Sequence, residues 1–291
     1  MANTDIAVLL ALAAAFFVAI GDVIHQRSAL DVTDEPVGHL QLFARLLRDR
    51  RWWLGTGVAA AGFALQASAL ALGSVLLVQA LLVTSLLFAL PISARVAGHR
   101  VTRWQGLWAV LLAGSVVVIV TVGNPTAGQS RASLDTWLEV IAVLGPLLAA
   151  CLIGARIWSG PVSAVLLGAV SGALWGVFAV LTKTVVHRLD VTSWAGAVEL
   201  VSTPELYVWV AVAVAGTAFQ QASFRAGALT AALPTMTVTE PMVAAVLGIV
   251  VLGETLRPDE VGWFVLIVSV VLMVVSTAAL ARGEAATQQP A

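Results

Sequence analysis

The sequence predicts an all-α integral membrane protein of about nine transmembrane helices, arranged as an inverted-topology 4+1+4 repeat. Three observations carry that expectation. Hydrophobic residues make up 60% of the chain and charged residues 11%, against about a quarter charged in an ordinary soluble domain. Apolar stretches of roughly 17 to 25 residues, each long enough to cross a bilayer, follow one another almost without interruption. Finally, Gln66-Ala67-Ser68 recurs as Gln221-Ala222-Ser223 at the same place in a second hydrophobic segment.

Taken in order, the spans are expected near residues 5–24, 53–72, 74–94, 104–122, 137–153, 161–186, 205–225, 228–252 and 260–281. The first begins after Met1-Ala2-Asn3-Thr4-Asp5, which lacks the basic residues of a signal peptide, so it is expected to stay as a helix. Between spans one and two, Val37 to Arg51 spaces Leu40, Phe43, Leu46 and Leu47 among arginines, the pattern of an amphipathic helix lying on anionic lipid. Trp52, Trp53, Trp104, Trp137 and Trp209 fall near span ends, where an aromatic belt is the default reading. Span three carries Gln79, Thr84 and Ser85, and span seven carries Gln220 and Gln221. The single cysteine, Cys151, lies in the span at 137–153 and reads as a small buried hydrophobe. Residues 283–291 read as a short disordered tail, which leaves residues 1–282 as one membrane domain.

Arginines sort by side. Alternate loops carry Arg27, Arg45, Arg48, Arg50, Arg51, Arg95, Arg100, Arg103, Arg156, Arg225 and Arg282, while the other side holds Arg131, Lys183, Arg188 and Arg257. Cytoplasmic loops collect positive charge, so the N-terminus is expected outside and the C-terminus in the cytoplasm of a plasma-membrane protein.

Five crossings separate the two Gln-Ala-Ser copies, so the copies run in opposite directions. Inverted repeats build secondary transporters, with the binding site near the midplane. Repeat one is expected over about 5–122, a linker helix over 137–153 and repeat two over 161–281. Gly106-Leu107-Trp108 lies over Gly262-Trp263-Phe264, and the polar cluster from Gly21 to Arg27 lies over that from Thr182 to Arg188.

Ala173-Leu174-Trp175-Gly176-Val177-Phe178 with Lys183, and Glu240-Pro241 through Leu252-Gly253-Glu254-Thr255-Leu256 to Val261-Gly262, are similar to motifs of the drug/metabolite transporter superfamily. Within it, the nine-helix layout and Arg51-Trp52-Trp53-Leu54-Gly55 resemble EamA- and NIPA-type transporters. The resemblance implies a duplicated helical carrier of a small solute, and its NIPA side implies magnesium as an alternative cargo. Where NIPA-type proteins have Gly-Glu in helix two, this chain has Gly62-Phe63.

An ionisable group inside a span is costly and marks function by default. Glu240 leads, about twelve residues into span eight and so roughly 18 Å deep. Pro234 and Pro241 bracket Thr235, Thr237 and Thr239, and each removes a helical hydrogen bond, so the helix is expected to break or bend there and to expose coordinating groups. Asp22 reads either as a proton- or cation-binding group at the cytoplasmic end or as an interfacial residue reaching Arg27. Lys183, the only lysine, is expected to snorkel to the outer surface. Gln66 and Gln221, as a repeated pair, with Thr84, Thr237, Thr239 and the deeper Trp175, complete the candidate set for substrate and proton.

No Ser/His/Asp constellation, phosphate loop or dinucleotide fingerprint is present, and the four histidines lack metal-binding spacing. The expectation is therefore a non-enzyme without cofactor, metal centre or nucleic-acid partner, working as a monomer or homodimer on a small-molecule or ion substrate. A non-transporting membrane scaffold or partner subunit is the rival from another class.

Overall fold

The computed structural model describes residues 2–32, 50–97, 101–188, 201–226 and 229–287. The surface helix expected over Val37 to Arg51 lies almost wholly outside these residues. Among them, ten helical segments occur: α1 (Ala2–Val32), α2 (Arg50–Leu72), α3 (Val75–Leu82), α4 (Ser85–Ala97), α5 (Arg103–Thr121), α6 (Leu134–Ile157), α7 (Pro161–Arg188), α8 (Pro204–Ala226), α9 (Leu229–Leu252) and α10 (Glu260–Thr287). The expected third span is thus two helices in line. Among the described residues, eight spans are long and apolar enough to cross a membrane, with Val75–Val96 counted as one. The 23-residue α8 is long enough but less apolar, since it carries Glu205, Gln220, Gln221 and Arg225. The tail departs from expectation: α10 runs on to Thr287, because Glu284, Ala285 and Ala286 are good helix formers.

Small residues set the packing. Gly21 of α1 lies against Ala59, Gly62 of α2 against Phe17 and Val18, and Gly73 against Ala7, so α1 and α2 are antiparallel over their length. Phe16 of α1 meets Phe88 of α4 with ring centroids 5.5 Å apart, and α3–α4 therefore descends parallel to α1. A second set is built the same way around α7. The Ser223 hydroxyl of α8 donates to Ala164 O (2.7 Å), the Ser171 hydroxyl to Gly216 O (2.9 Å) and the Trp209 indole to the Thr182 hydroxyl (2.9 Å), so α8 runs the full length of α7 in the opposite sense. Gly168, Gly172 and Gly176, one turn apart on α7, face Ala232, Met236 and Glu240 to Ala244 of α9, which makes α7 and α9 parallel. Helix α5 packs beside α10, and the peripheral α6 leans on α7 with Leu134, Leu138, Ile141, Val143 and Leu147 exposed, as a lipid-facing helix requires.

One end of the bundle is strapped. In residues 123–131, Thr126 N donates to Thr255 O (2.9 Å), Gln129 N to Leu252 O (2.7 Å) and Arg131 pairs with Glu205 at 2.6 Å. Gly128 lies so close to the Leu252 carbonyl that a methyl group there collides with it and with the Gly253–Glu254 backbone. Gly128→Ala is therefore expected to lift the strap, at a cost of about 1–3 kcal/mol. Limited proteolysis reads this directly: cleavage within 123–131 should be faster in the variant, and unchanged cleavage would mean the strap tolerates the methyl.

Candidate functional site

At the strapped end, two charges are buried together. The Lys183 ammonium lies 2.8 Å from Glu254 Oε1, with the two side chains 2% and 0% exposed. The same oxygen accepts the Val75 amide at 2.6 Å, and Oε2 accepts the Leu76 amide at 2.9 Å. The first turn of a helix has N–H groups without intrahelical partners and a positive dipole end, and Glu254 supplies the anion for α3. Ser74 completes the cap by accepting from Leu77 N at 3.1 Å. An eight-residue helix has little stability alone, so these bonds fix α3 to α7 and to the α9–α10 connection.

Local sequence builds this arrangement. At Gly253 the backbone has φ +64°, a conformation glycine adopts without penalty, and it turns the chain so that Glu254 N reaches Gly248 O at 3.0 Å. Gly248 leaves the carboxylate its space, since a methyl there would sit 2.8 Å from Glu254 Oε2. Here the expectation for Lys183 is corrected. Its stem does not reach water, because Glu254 meets the ammonium inside the bundle, where an unpaired charge is far more costly than a paired one.

A second group of residues lies at mid-depth. Glu240 is half-buried at the centre of α9. Val75 lies against Gly248, 3.6 Å from where its Cβ would be. At 1.5 Å per residue, Thr84 and Thr239 each lie about 14 Å below that contact and so at one level. Trp175 joins them, since its neighbour Gly176 abuts the Glu240 carbonyl. Of the sequence candidates, Thr84, Trp175, Thr239 and Glu240 thus share a layer, with Thr237 just below, its hydroxyl donating to Leu233 O at 2.7 Å.

The break in this layer is not the expected one. Helix α9 runs through both Pro234 and Pro241 without interruption; membrane helices keep internal prolines where neighbours surround the freed backbone, and both prolines are buried, in a helix that α7 meets through glycines. The interruption instead falls at Val83–Thr84, where Thr84 N bonds Leu81 O (3.0 Å), Leu87 N bonds Thr84 O (2.9 Å) and the Thr84 hydroxyl also donates to Leu81 O (2.5 Å).

Other candidates separate. Gln66 sits seven residues before Gly73, toward the strapped end, whereas exposed Gln221 lies two residues before Ser223, toward the opposite end; they do not form a pair. Asp22 belongs to α1, but its side chain lies outside the described residues. Trp209, expected in an interfacial belt, stacks on Phe178 at 5.0 Å, and Phe63 and Trp175 pack on Phe178 at 5.7 and 5.1 Å. This aromatic cluster joins α2, α7 and α8. Among the described residues, no three His, Cys, Asp or Glu side chains gather as a metal site would require.

Sequence reasoning used Glu254 and Phe178 only as parts of the motifs behind the family resemblance, and gave neither them nor Ser74 a place in the site. The available signal for Glu254 was an acidic residue directly after the Leu252-Gly253 helix end.

An uncharacterised protein of Corynebacterium glutamicum is 36% identical to this chain over 282 residues, which is 97% of this chain and 96% of the relative. No family model and no solved structure matches the chain.

Proposed function

We propose that this chain, which belongs to one family with the Corynebacterium glutamicum protein that it matches over 97% of its length, is a secondary carrier of a small solute, of the drug/metabolite transporter type and proton-coupled, working by alternating access. The observation that carries this reading is a carboxyl, Glu240, at the midpoint of a spanning helix and level with a helix break at Val83–Thr84. Carriers bind substrate at such places, where interrupted helices offer polar backbone and side-chain groups at the midplane. Glu240 takes the proton or a cationic group of the solute, and Thr84, Thr239 and Trp175 supply the surrounding contacts.

The helix arrangement supports an inverted duplication as the frame. Helix α1 has an antiparallel neighbour in α2 and a parallel one in α3–α4; α7 has the same neighbours in α8 and α9, and it ends where α1 begins. Helices α5 and α10 then correspond, and α6 is the linker. The arginine distribution supports a plasma-membrane placement with the strapped end outside, the N-terminus outside and the C-terminus cytoplasmic.

The test is thermal stability of purified protein against a panel of cations and metabolites at two pH values, for wild type and Glu240→Gln, because a ligand of the folded state raises its melting point. A small organic compound is expected to stabilise wild type and to lose its effect, and the pH dependence of that effect, in the variant. Stabilisation by magnesium alone would replace this reading with a cation carrier. Equal stabilisation of both proteins would remove Glu240 from the site.

A further inference from the structure

We infer that the Lys183–Glu254–α3 joint is a releasable gate over the mid-depth layer, parting and re-forming once in each transport cycle; the inference rests on the carrier reading. Its position suits that role. Lys183 lies seven residues beyond Gly176 on α7, about 10 Å from the level of Glu240 and toward the strapped end.

The chemistry of the joint also suits it. It ties three elements, α7, α3 and the α9–α10 connection, through one ion pair and two amide-to-carboxylate bonds. Water replaces each of these partners when it enters, and burial of the two charges offsets most of their attraction. Such a joint fixes one arrangement without holding it strongly. An apolar seam of the same extent would resist wetting.

Helix α3 is shaped to move as a unit. Its eight residues end at Val83–Thr84, where the helix is already interrupted, and begin after Gly73-Ser74. Gln79, one turn below Val75 on the same face, is 3% exposed, and its amide nitrogen has no hydrogen-bond partner. Buried polar groups are nearly always paired. The closed joint therefore leaves one donor unmet that a water-filled open state satisfies, which narrows the gap between the two.

Accessibility of a cysteine beneath the joint tests the gate without any solute, so the result is independent of the Glu240 experiment. Val78 of α3 is fully buried and serves as the reporter, Val78→Cys, with the native cysteine removed by Cys151→Ala. The protein is reconstituted in liposomes and labelled with a membrane-impermeant maleimide from the side of the strap. Glu254→Ala, which removes the partner of Lys183 and the acceptor of both α3 amides, is expected to speed labelling at least tenfold. Gln79→Leu, which deletes the unmet donor and keeps the closed packing, is expected to slow it below wild type. Val170→Cys, buried farther along α7, reports loosening of the fold and should stay unlabelled throughout. Unchanged labelling at position 78 in both backgrounds, or labelling that rises equally at 170, would overturn the gate. If labelling responds as expected while the Glu240 test fails, the gate stands and the site of the solute lies elsewhere.

Discussion

Replacing Glu254 by alanine is expected to be among the most damaging single changes in this protein. It leaves the Lys183 ammonium buried without its partner and the Val75 and Leu76 amides without an acceptor. Breaking a buried pair from one side costs about 3–5 kcal/mol, and an unmet buried donor adds about 1–3 kcal/mol. Lys183→Met together with Glu254→Gln should recover part of the loss, because no charge remains and the single glutamine oxygen still accepts from one of the two α3 amides. Exchanging the residues, Lys183→Glu with Glu254→Lys, should not recover it. A lysine cannot accept from the α3 amides, and its charge opposes the positive end of that helix. Melting of the three purified variants beside wild type decides the matter. Equal stability of the exchanged pair and wild type would mean that the bonds to α3 contribute nothing.

A methyl group at Gly176 is expected to have the second-largest effect. It would lie 2.8 Å from the Glu240 carbonyl oxygen and 2.9 Å from the Ala244 nitrogen, both backbone atoms that cannot swing aside. Overpacking of this kind costs about 1–3 kcal/mol, and here it also displaces the segment that carries Glu240. Gly176→Ala should therefore lower the melting point and abolish the ligand-induced stabilisation expected of wild type. Gly114→Ala is the control. Nothing lies within 4 Å of that position on α5, and alanine is about 1 kcal/mol better than glycine inside a helix, so its melting point should hold or rise. A Gly176→Ala protein as stable as Gly114→Ala would show that α7 and α9 can separate at no cost.

Much of the architecture was legible because a bilayer restricts the possibilities. Apolar stretches of spanning length must become helices, and the span limits follow the sequence closely, from Asn3–Gly21 to Glu260–Arg282. The mid-depth set was legible in part for the same reason: counting 1.5 Å per residue places Glu240 at the centre of α9, and Thr84, Trp175 and Thr239 fall at its level. Partners were not legible. Lys183 and Glu254 are 71 positions apart, and Glu254 and Val75 are 179 apart. Each looks terminal in its own segment. Sequence depth alone made Lys183 a residue that reaches for water and left Glu254 without a role in the site.

The sequence by itself determined that this is a helical membrane protein, where its helices lie and which polar residues sit deep, because hydropathy and rise per residue are local properties. Only the tertiary structure decided that the third span breaks at Val83–Thr84 while α9 runs through two prolines, that Gln66 and Gln221 lie apart, and that Lys183 is paired inside the bundle. Whether a proline interrupts a helix, or a charge stays buried, depends on what a neighbouring helix places beside it, and that neighbour is remote in sequence.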